Sequence, residues 1–191
     1  MHMVEIHFGI FEQSRFPVDS FGLFQIDVSP ILADLVHKIN QAIVSDVYQL
    51  DSLQYNITGL SISSNSCNNC EKLDLNGFRL LTTIEIGNNC FESVKTFQIN
   101  GLNQLKTIKI GNNSFTQKKN SYGNDASKSF QILFCKLLES LEIGEYSFSD
   151  FAGYFQLGSL SSLRSIKIGS ANAFSYSFYG STFAIRGMLS I

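Results

Sequence analysis

The chain has 191 residues, 44% of them hydrophobic and 17 of them phenylalanine, enough for one domain or a repeat domain with a small module. Its net charge of −2 argues against a nucleic-acid-binding surface, and no run of 18 apolar residues predicts a membrane span. The N-terminus lacks the basic region and apolar core of a signal peptide. We therefore expect an intracellular protein, or a cell-surface or extracellular one if the natural N-terminus was trimmed.

The N-terminal region, residues 1–45, predicts two strands followed by a helix. Residues 4–8 and 24–28 alternate apolar and polar side chains, which is typical of strands. Ser29 suits the cap of a helix and Pro30 its first position. The apolar face of this helix would consist of Leu32, Leu35, Ile39 and Ile43 or Ala42.

From residue 57 onward the chain repeats one unit, LxxIxIGxxxF. Residues 81–91 read LTTIEIGNNCF, residues 105–115 read LKTIKIGNNSF, and residues 138–148 read LESLEIGEYSF. Residues 163–174, LRSIKIGSANAF, are one residue longer, and residues 57–67, ITGLSISSNSC, form a weaker copy. The apolar cores follow each other at steps of 24, 24, 33 and 25 residues, beginning at Leu60, Ile84, Ile108, Leu141 and Ile166.

Each unit predicts a short half-buried strand and a bend. Ile84 and Ile86 alternate with Glu85, so two apolar side chains point inward and one charge points outward. Gly87 and its counterparts follow the strand, where a bend favours glycine. We expect a ladder of stacked asparagines at Asn65, Asn89 and Asn113. The interior after the bend would be filled by Phe91, Phe115, Phe148 and Phe174.

A second strand recurs in every unit, so each turn of the chain would contribute to two parallel sheets, with about 4.8 Å between neighbouring strands. The glutamine or aspartate in the middle of this strand predicts a second ladder, formed by Gln49, Asp74, Gln98, Gln131 and Gln156. The second strands are residues 48–50, 73–75, 97–99, 130–132, 155–157 and 183–185.

The unit resembles the LxxLxLxxNxL consensus of leucine-rich repeat proteins, and its short, phenylalanine-rich form resembles the BspA-like branch. The resemblance implies a mostly β solenoid of about five coils over residues 46–191, with two short parallel strands per coil. Residues 1–45 would then form an N-terminal α/β cap, because terminal repeats must shield the open end of a solenoid. Their strand, strand, helix order also resembles the opening of a ubiquitin-like β-grasp, and this alternative stays open.

The third unit carries an insertion, residues 116–129, whose polar composition is typical of a solvated surface loop, although Tyr122 could anchor a contact. Cys67 and Cys70 form a CxxC pair, but no further ligand for a zinc site is evident, so we predict no metal and no cofactor. All three histidines lie outside the repeats, and we find no candidate catalytic set. We therefore predict a protein that is not an enzyme.

In leucine-rich repeat proteins the outer face of the first sheet usually binds the ligand, so the resemblance implies a protein partner on this face. Its charges alternate in sign along the column, and such a column could also satisfy itself through cross-strand pairs. The candidate binding residues are Glu85, Lys106, Lys109, Glu139, Glu142, Arg164 and Lys167.

The C-terminal stretch FAIRGMLSI predicts an apolar edge without a polar cap. An exposed edge of this kind promotes association, so the alternative function is a structural subunit that self-assembles end to end into a filament. The candidate assembly residues are Phe183, Ile185, Met188, Leu189 and Ile191.

Overall fold

The computed structural model describes residues 40–170 and 175–187, and almost all regular structure in these ranges is β-strand. A single short helix, α1, spans Val47–Asp51 within them. The strands are β1 (Gln41–Val44), β2 (Gly59–Ile62), β3 (Leu73–Asp74), β4 (Thr83–Ile86), β5 (Thr96–Asn100), β6 (Thr107–Ile110), β7 (Ser129–Leu133), β8 (Ser140–Ile143), β9 (Tyr154–Gly158), β10 (Ser165–Ile168) and β11 (Thr182–Arg186).

The chain alternates between two parallel sheets. Six strands form one sheet in the order β1-β2-β4-β6-β8-β10, and five form the other in the order β3-β5-β7-β9-β11. Equivalent positions of successive units lie side by side, as in Ile84↔Ile108 and Ile108↔Leu141. The prediction of a mostly β fold with two parallel sheets is confirmed. The insertion leaves the register unchanged, because its extra residues lie between strands β6 and β7.

Two columns of stacked phenylalanine rings run through the core. One consists of Phe91, Phe115, Phe148 and Phe178, with successive ring centroids 5.1, 4.7 and 4.9 Å apart. The other consists of Phe97, Phe130 and Phe155, with both spacings at 5.0 Å. The columns meet edge to face, and all of these rings are at most 2% exposed. Stacked units therefore bury a continuous apolar interior that one unit alone could not.

One phenylalanine of this column differs from the prediction. Phe178, rather than Phe174, occupies the position that follows Phe148, and Phe174 lies outside the described residues. The backbone supports this assignment. The Tyr146 amide donates a hydrogen bond to the Ser175 carbonyl, and Phe178 has the same left-handed backbone as Phe148, with φ of 56° and 58°. The phenylalanine of the last unit therefore lies four residues further from Gly169 than the sequence LRSIKIGSANAF indicated.

Each bend contains two residues with left-handed backbone. The asparagine column has φ of 61°, 56° and 55° at Asn65, Asn89 and Asn113, and asparagine tolerates this conformation well. The phenylalanine column is left-handed too, with Phe148 at φ 58°. A bulky residue there costs conformational energy, and the burial of its ring offsets that cost.

Both predicted side-chain ladders form only in part. Gln98 donates to Gln131 at 3.0 Å and Gln131 donates to Gln156 at 2.6 Å, which confirms the ladder across strands β5, β7 and β9. Asp74 does not join it and instead accepts hydrogen bonds from Asn76. In the asparagine ladder, Asn89 donates to Asn65 at 3.1 Å, whereas the side chain of Asn113 turns to Asn120 of the insertion.

The region before the first full unit departs from the predictions in two places. Ala42 and Ile43, predicted on a helix, lie in β1, which pairs with β2 and extends the first sheet beyond the predicted boundary at residue 46. Residues 48–50, predicted as a strand, form the helix α1. Asp46 caps this helix by accepting a hydrogen bond from the Gln49 amide at 2.9 Å, a local contact that outweighs the repeat pattern. The two strands predicted within residues 1–39, and most of the predicted helix, lie outside the described residues.

Candidate binding face

Four of the predicted binding residues form one column on the outer surface of the six-stranded sheet. Glu85, Lys109, Glu142 and Lys167 occupy the third position of strands β4, β6, β8 and β10. The register places Glu85 opposite Lys109, and places Glu142 opposite both Lys109 and Lys167. Glu142 is half-buried and the other three are exposed. The predicted alternation of charge across adjacent strands is therefore present.

The other three predicted residues lie where the same strands begin. Lys106, Glu139 and Arg164 are exposed and directly precede β6, β8 and β10. They are aligned by their backbones, since the Glu139 amide donates to the Lys106 carbonyl at 2.8 Å and the Arg164 amide to the Glu139 carbonyl at 2.9 Å. We call these seven residues together, the column of four and this group of three, the Glu/Lys face.

The opposite charges of the column do not form ion pairs with each other. The salt bridges found among the described residues are Lys72–Asp74, Lys119–Glu92 and Lys128–Asp150, and all three lie outside the Glu/Lys face. Charges separated by solvent attract only weakly, because water screens them. Among the described residues, the opposite charges that the register brings side by side in this column therefore lie beyond ion-pair distance from each other.

A groove runs beside the charged column and across the strands. A cleft of about 590 Å³ is lined by residues that include Lys109, Glu142 and Lys167, and a smaller one of about 260 Å³ by residues that include Glu85. The two clefts share part of their lining and so follow one another along the sheet. The shared residues are Asn88, Lys109 and Gly111.

Glycine follows the four strands β4, β6, β8 and β10 that border the groove. A Cβ atom at Gly144 would collide with Asn112 Oδ1 and lie 2.6 Å from the carbonyl carbon of Gly111. Asn112 Oδ1 meanwhile accepts a hydrogen bond from the Glu145 amide at 2.9 Å, and Asn88 Oδ1 accepts one from the Asn112 amide at 2.7 Å. This second asparagine ladder, which we did not predict, occupies the space that a side chain at the glycine position would need.

The insertion is anchored by a buried ion pair that the sequence did not reveal. Lys128 Nζ lies 2.7 Å from Asp150 Oδ2, and the two side chains are 3% and 6% exposed. Asp150 looked isolated in the sequence because its partner is 22 residues away. The same carboxylate oxygen accepts a hydrogen bond from the Gln117 amide at 3.2 Å, while Oδ1 is buried without a partner. The loop from residue 116 to 129 is thus fixed at both ends.

The four cysteines occupy interior positions. Cys67 has the left-handed backbone of the phenylalanine column, and Cys90 takes the place of Ser114, with its thiol near the Ser63 carbonyl. Burial raises the pKa of the Cys67 thiol to about 11, and burial also raises the pKa of Cys70, Cys90 and Cys135. A raised pKa keeps these thiols protonated and unreactive near neutral pH. The described ranges contain no group of three or more metal-binding side chains.

The predicted assembly edge is described only in part. Phe183 and Ile185 of β11 are 53% and 52% exposed, and Ile166 of β10 is 42% exposed. The equivalent apolar positions of the inner strands, such as Phe155 and Leu157 of β9, are at most 1% exposed. Met188, Leu189 and Ile191 lie outside the described residues.

Comparisons with protein-family models, with curated proteins and with solved structures find no match for this chain. Within the described ranges, no helix combines the length and the apolar character that crossing a membrane requires.

Proposed function

We propose that this chain is a non-enzymatic leucine-rich repeat scaffold that binds another protein through the Glu/Lys face. Four copies of LxxIxIGxxxF and one weaker copy, at steps of 24, 24, 33 and 25 residues, together with the alternation between two parallel sheets, favour a solenoid of the BspA-like kind. The observation that carries the binding proposal is the charged column itself. Its charges alternate, stand in register and make no ion pair with each other.

Such a face suits a partner whose charges alternate in the opposite order. Electrostatic complementarity speeds the encounter of two proteins and excludes partners with like charges at the same positions. The groove beside the column adds a concave surface, lined by residues that include Asn88 and Asn112, where a partner's side chain can be accepted. No aromatic residue belongs to the Glu/Lys face, so its contribution lies in specificity and association rate rather than in apolar burial.

Reversing two charges of the column is expected to abolish binding. In the double variant Lys109→Glu/Lys167→Glu, the four neighbouring strands β4, β6, β8 and β10 would each present a carboxylate in place of alternating signs, while the core stays unchanged. The measurement is quantitative capture of proteins from an extract of the source cells, by wild type and by variant. The expected result is a protein that wild type retains and the variant loses, with retention falling as salt rises because exposed charges are screened.

The matched control is Lys95→Glu/Lys136→Glu, which changes net charge equally at two exposed lysines outside the Glu/Lys face. This control should retain the partner like wild type. Two outcomes would refute the Glu/Lys face as the binding site. In one, the face variant retains the partner as well as the control does, and in the other the control loses the partner to the same extent as the face variant.

A second candidate function is end-to-end self-assembly, and the exposure of the terminal strands favours it. Phe183 and Ile185 are half exposed in β11, the terminal strand of the five-stranded sheet. At the other end of the six-stranded sheet, Val44 of β1 is buried, and the exposed Ile43 lies in the outward-facing column that continues through Ser61 and Glu85. Strand edges with exposed apolar side chains pair readily with another chain. Contact between these different ends would be heterologous and could continue from copy to copy.

Light scattering over a concentration series, with negative-stain imaging, tests this second function. Self-assembly predicts rods whose mass rises in steps of 21.3 kDa, and the variant Phe183→Asp/Ile185→Asp should remain a single subunit. Tyr154→Asp, a change at a 69% exposed side chain of the inner strand β9, should assemble like wild type. A single species of 21.3 kDa at every concentration of wild type would exclude the filament.

A further inference from the structure

Four tyrosines from three segments of the chain meet on the surface beside the insertion. Tyr122, in the insertion, lies with its ring centroid 5.2 Å from that of Tyr176 and 4.8 Å from that of Tyr179. Tyr146 lies 6.0 Å from Tyr176. Tyr122 and Tyr179 are 53% and 61% exposed, and the other two are half-buried. We call these four residues the tyrosine cluster.

Two members of the cluster occupy positions where the backbone favours a different residue. Tyr146 and Tyr176 have φ of 58° and 44°, at the bend position that Asn113 and its counterparts fill in the earlier units. Left-handed backbone suits asparagine and is unfavourable for a bulky aromatic residue. Since local stability favours asparagine here, the aromatic residues at these two positions point to a role of the cluster itself.

The insertion holds Tyr122 in a defined place. Its neighbour Gly123 donates its amide to the Ser149 carbonyl at 3.1 Å, and the Asp125 amide donates to the Asp150 carbonyl at 2.9 Å. On the other side, the Asn120 amide donates to Asn113 Oδ1 at 2.9 Å. A surface fixed before binding loses less conformational entropy when a ligand docks on it.

The cluster is uncharged, and its rings are tilted against each other. The ring planes of Tyr122 make angles of 45° with Tyr176 and 44° with Tyr179, so the rings are in contact and present an uneven aromatic surface instead of one flat platform. No charged side chain takes part in these ring contacts. In the sequence, serine or glycine lies on both sides of Tyr122 and Tyr176, a composition typical of protein-binding surfaces built around tyrosine, whereas Glu145 precedes Tyr146.

We propose that the tyrosine cluster binds an extended, proline-rich protein segment in the polyproline II conformation. Such segments are rigid and dock on surfaces lined by aromatic rings, where prolines pack against the exposed rings. Their carbonyl groups make no internal hydrogen bonds and can accept from tyrosine hydroxyls. The hydroxyls of Tyr122, Tyr146 and Tyr179 make no hydrogen bond within the described residues and are available as donors. This site is separate from the Glu/Lys face and would serve a different ligand.

Tyrosine fluorescence tests the proposal directly, because the chain has 7 tyrosines and no tryptophan. The probe is a decaproline peptide, which has no chromophore of its own, titrated to about 1 mM, the weak end of specific binding. The expected result is a saturable change in tyrosine emission, absent with a glycine-serine peptide of equal length. Tyr122→Ala should weaken binding about tenfold or more, as for the loss of one aromatic anchor.

Two control variants separate the tyrosine cluster from the rest of the surface. Tyr154→Ala removes a tyrosine that is 69% exposed and lies outside the cluster, and it should bind decaproline like wild type. Lys109→Glu/Lys167→Glu should also bind it like wild type, so this proposal and the proposed function of the Glu/Lys face can fail independently. Circular dichroism of Tyr122→Ala checks that the fold is kept, and Tyr179→Ala provides a second variant of the cluster.

Three results would overturn the proposal. One is the absence of a saturable response to decaproline, and another is an equal response from wild type and from both cluster variants. The third is a saturable response to a chitin oligosaccharide but not to decaproline, which would assign the tilted rings to a carbohydrate instead.

Discussion

The variant Phe148→Ala is expected to lower the free energy of unfolding by about 3–5 kcal/mol, the usual loss for a buried phenylalanine. Phe148 is fully buried, and its ring stacks between Phe115 at 4.7 Å and Phe178 at 4.9 Å. It also meets Phe130 and Phe151 edge to face. Its removal opens a cavity in the middle of the column, where rings held by two sheets cannot close the gap. Urea unfolding followed by circular dichroism measures the effect.

Phe134→Ala is the matched control for this prediction. Phe134 has nearly the same left-handed backbone, φ 55° against 58°, but its side chain is 52% exposed. The change should therefore cost less than about 1 kcal/mol, as is usual for exposed positions. If both variants lost the same stability, backbone conformation rather than ring burial would explain the effect, and the stacked column would not be the main source of stability.

Removing one partner of the buried ion pair should destabilise the protein almost as strongly. Asp150→Ala leaves the Lys128 ammonium buried at 3% exposure without its carboxylate, and such changes usually cost about 3–5 kcal/mol. Lys128→Met leaves the Asp150 carboxylate equally uncompensated. The double variant Lys128→Met/Asp150→Leu removes both charges and should recover most of the loss, because desolvation offsets much of the attraction within a buried pair.

The exposed pair of the same insertion provides the comparison. Lys119 Nζ lies 3.0 Å from Glu92 Oε2, but each side chain is 38% exposed. Lys119→Met should therefore change stability by less than about 1 kcal/mol. Urea unfolding gives the four stabilities, and hydrogen exchange of the amides in residues 116–129 shows whether the insertion opens first. A double variant as unstable as Asp150→Ala would contradict a pairwise ion-pair effect.

The local sequence pattern is sufficient to predict the strands of the repeats. Apolar and polar side chains alternate over three or four residues around Ile84 and again around Phe97, and this pattern recurs along the chain. The helix α1 does not emerge from the sequence, because its signal is a single cap, Asp46, within a stretch that also fits the repeat. Ala42 and Ile43 have a spacing that fits a helical face, whereas pairing with β2 makes them a strand.

The candidate site, like the fold, could be predicted from the sequence only in part. The column at Glu85 and Lys109 follows from the register, since equal steps bring equal positions side by side. The absence of ion pairs within it depends on side-chain conformations that no spacing specifies. The tyrosine cluster is visible in the sequence only as Tyr122 in a polar loop, because Tyr176 and Tyr179 are more than 50 residues further along the chain.

The order of residues along the chain is enough to establish the period, the two strands of most units and the side chains that face outward. These features follow from patterns within a few residues, and the recurrence of those patterns along the chain identifies the repeat. The folded chain was needed to show that Phe178 completes the ring column, that Lys128 pairs with Asp150, and that the tyrosines converge. Each of these depends on a contact between distant segments, and such contacts form only when the sheets stack and exclude water from the space between them.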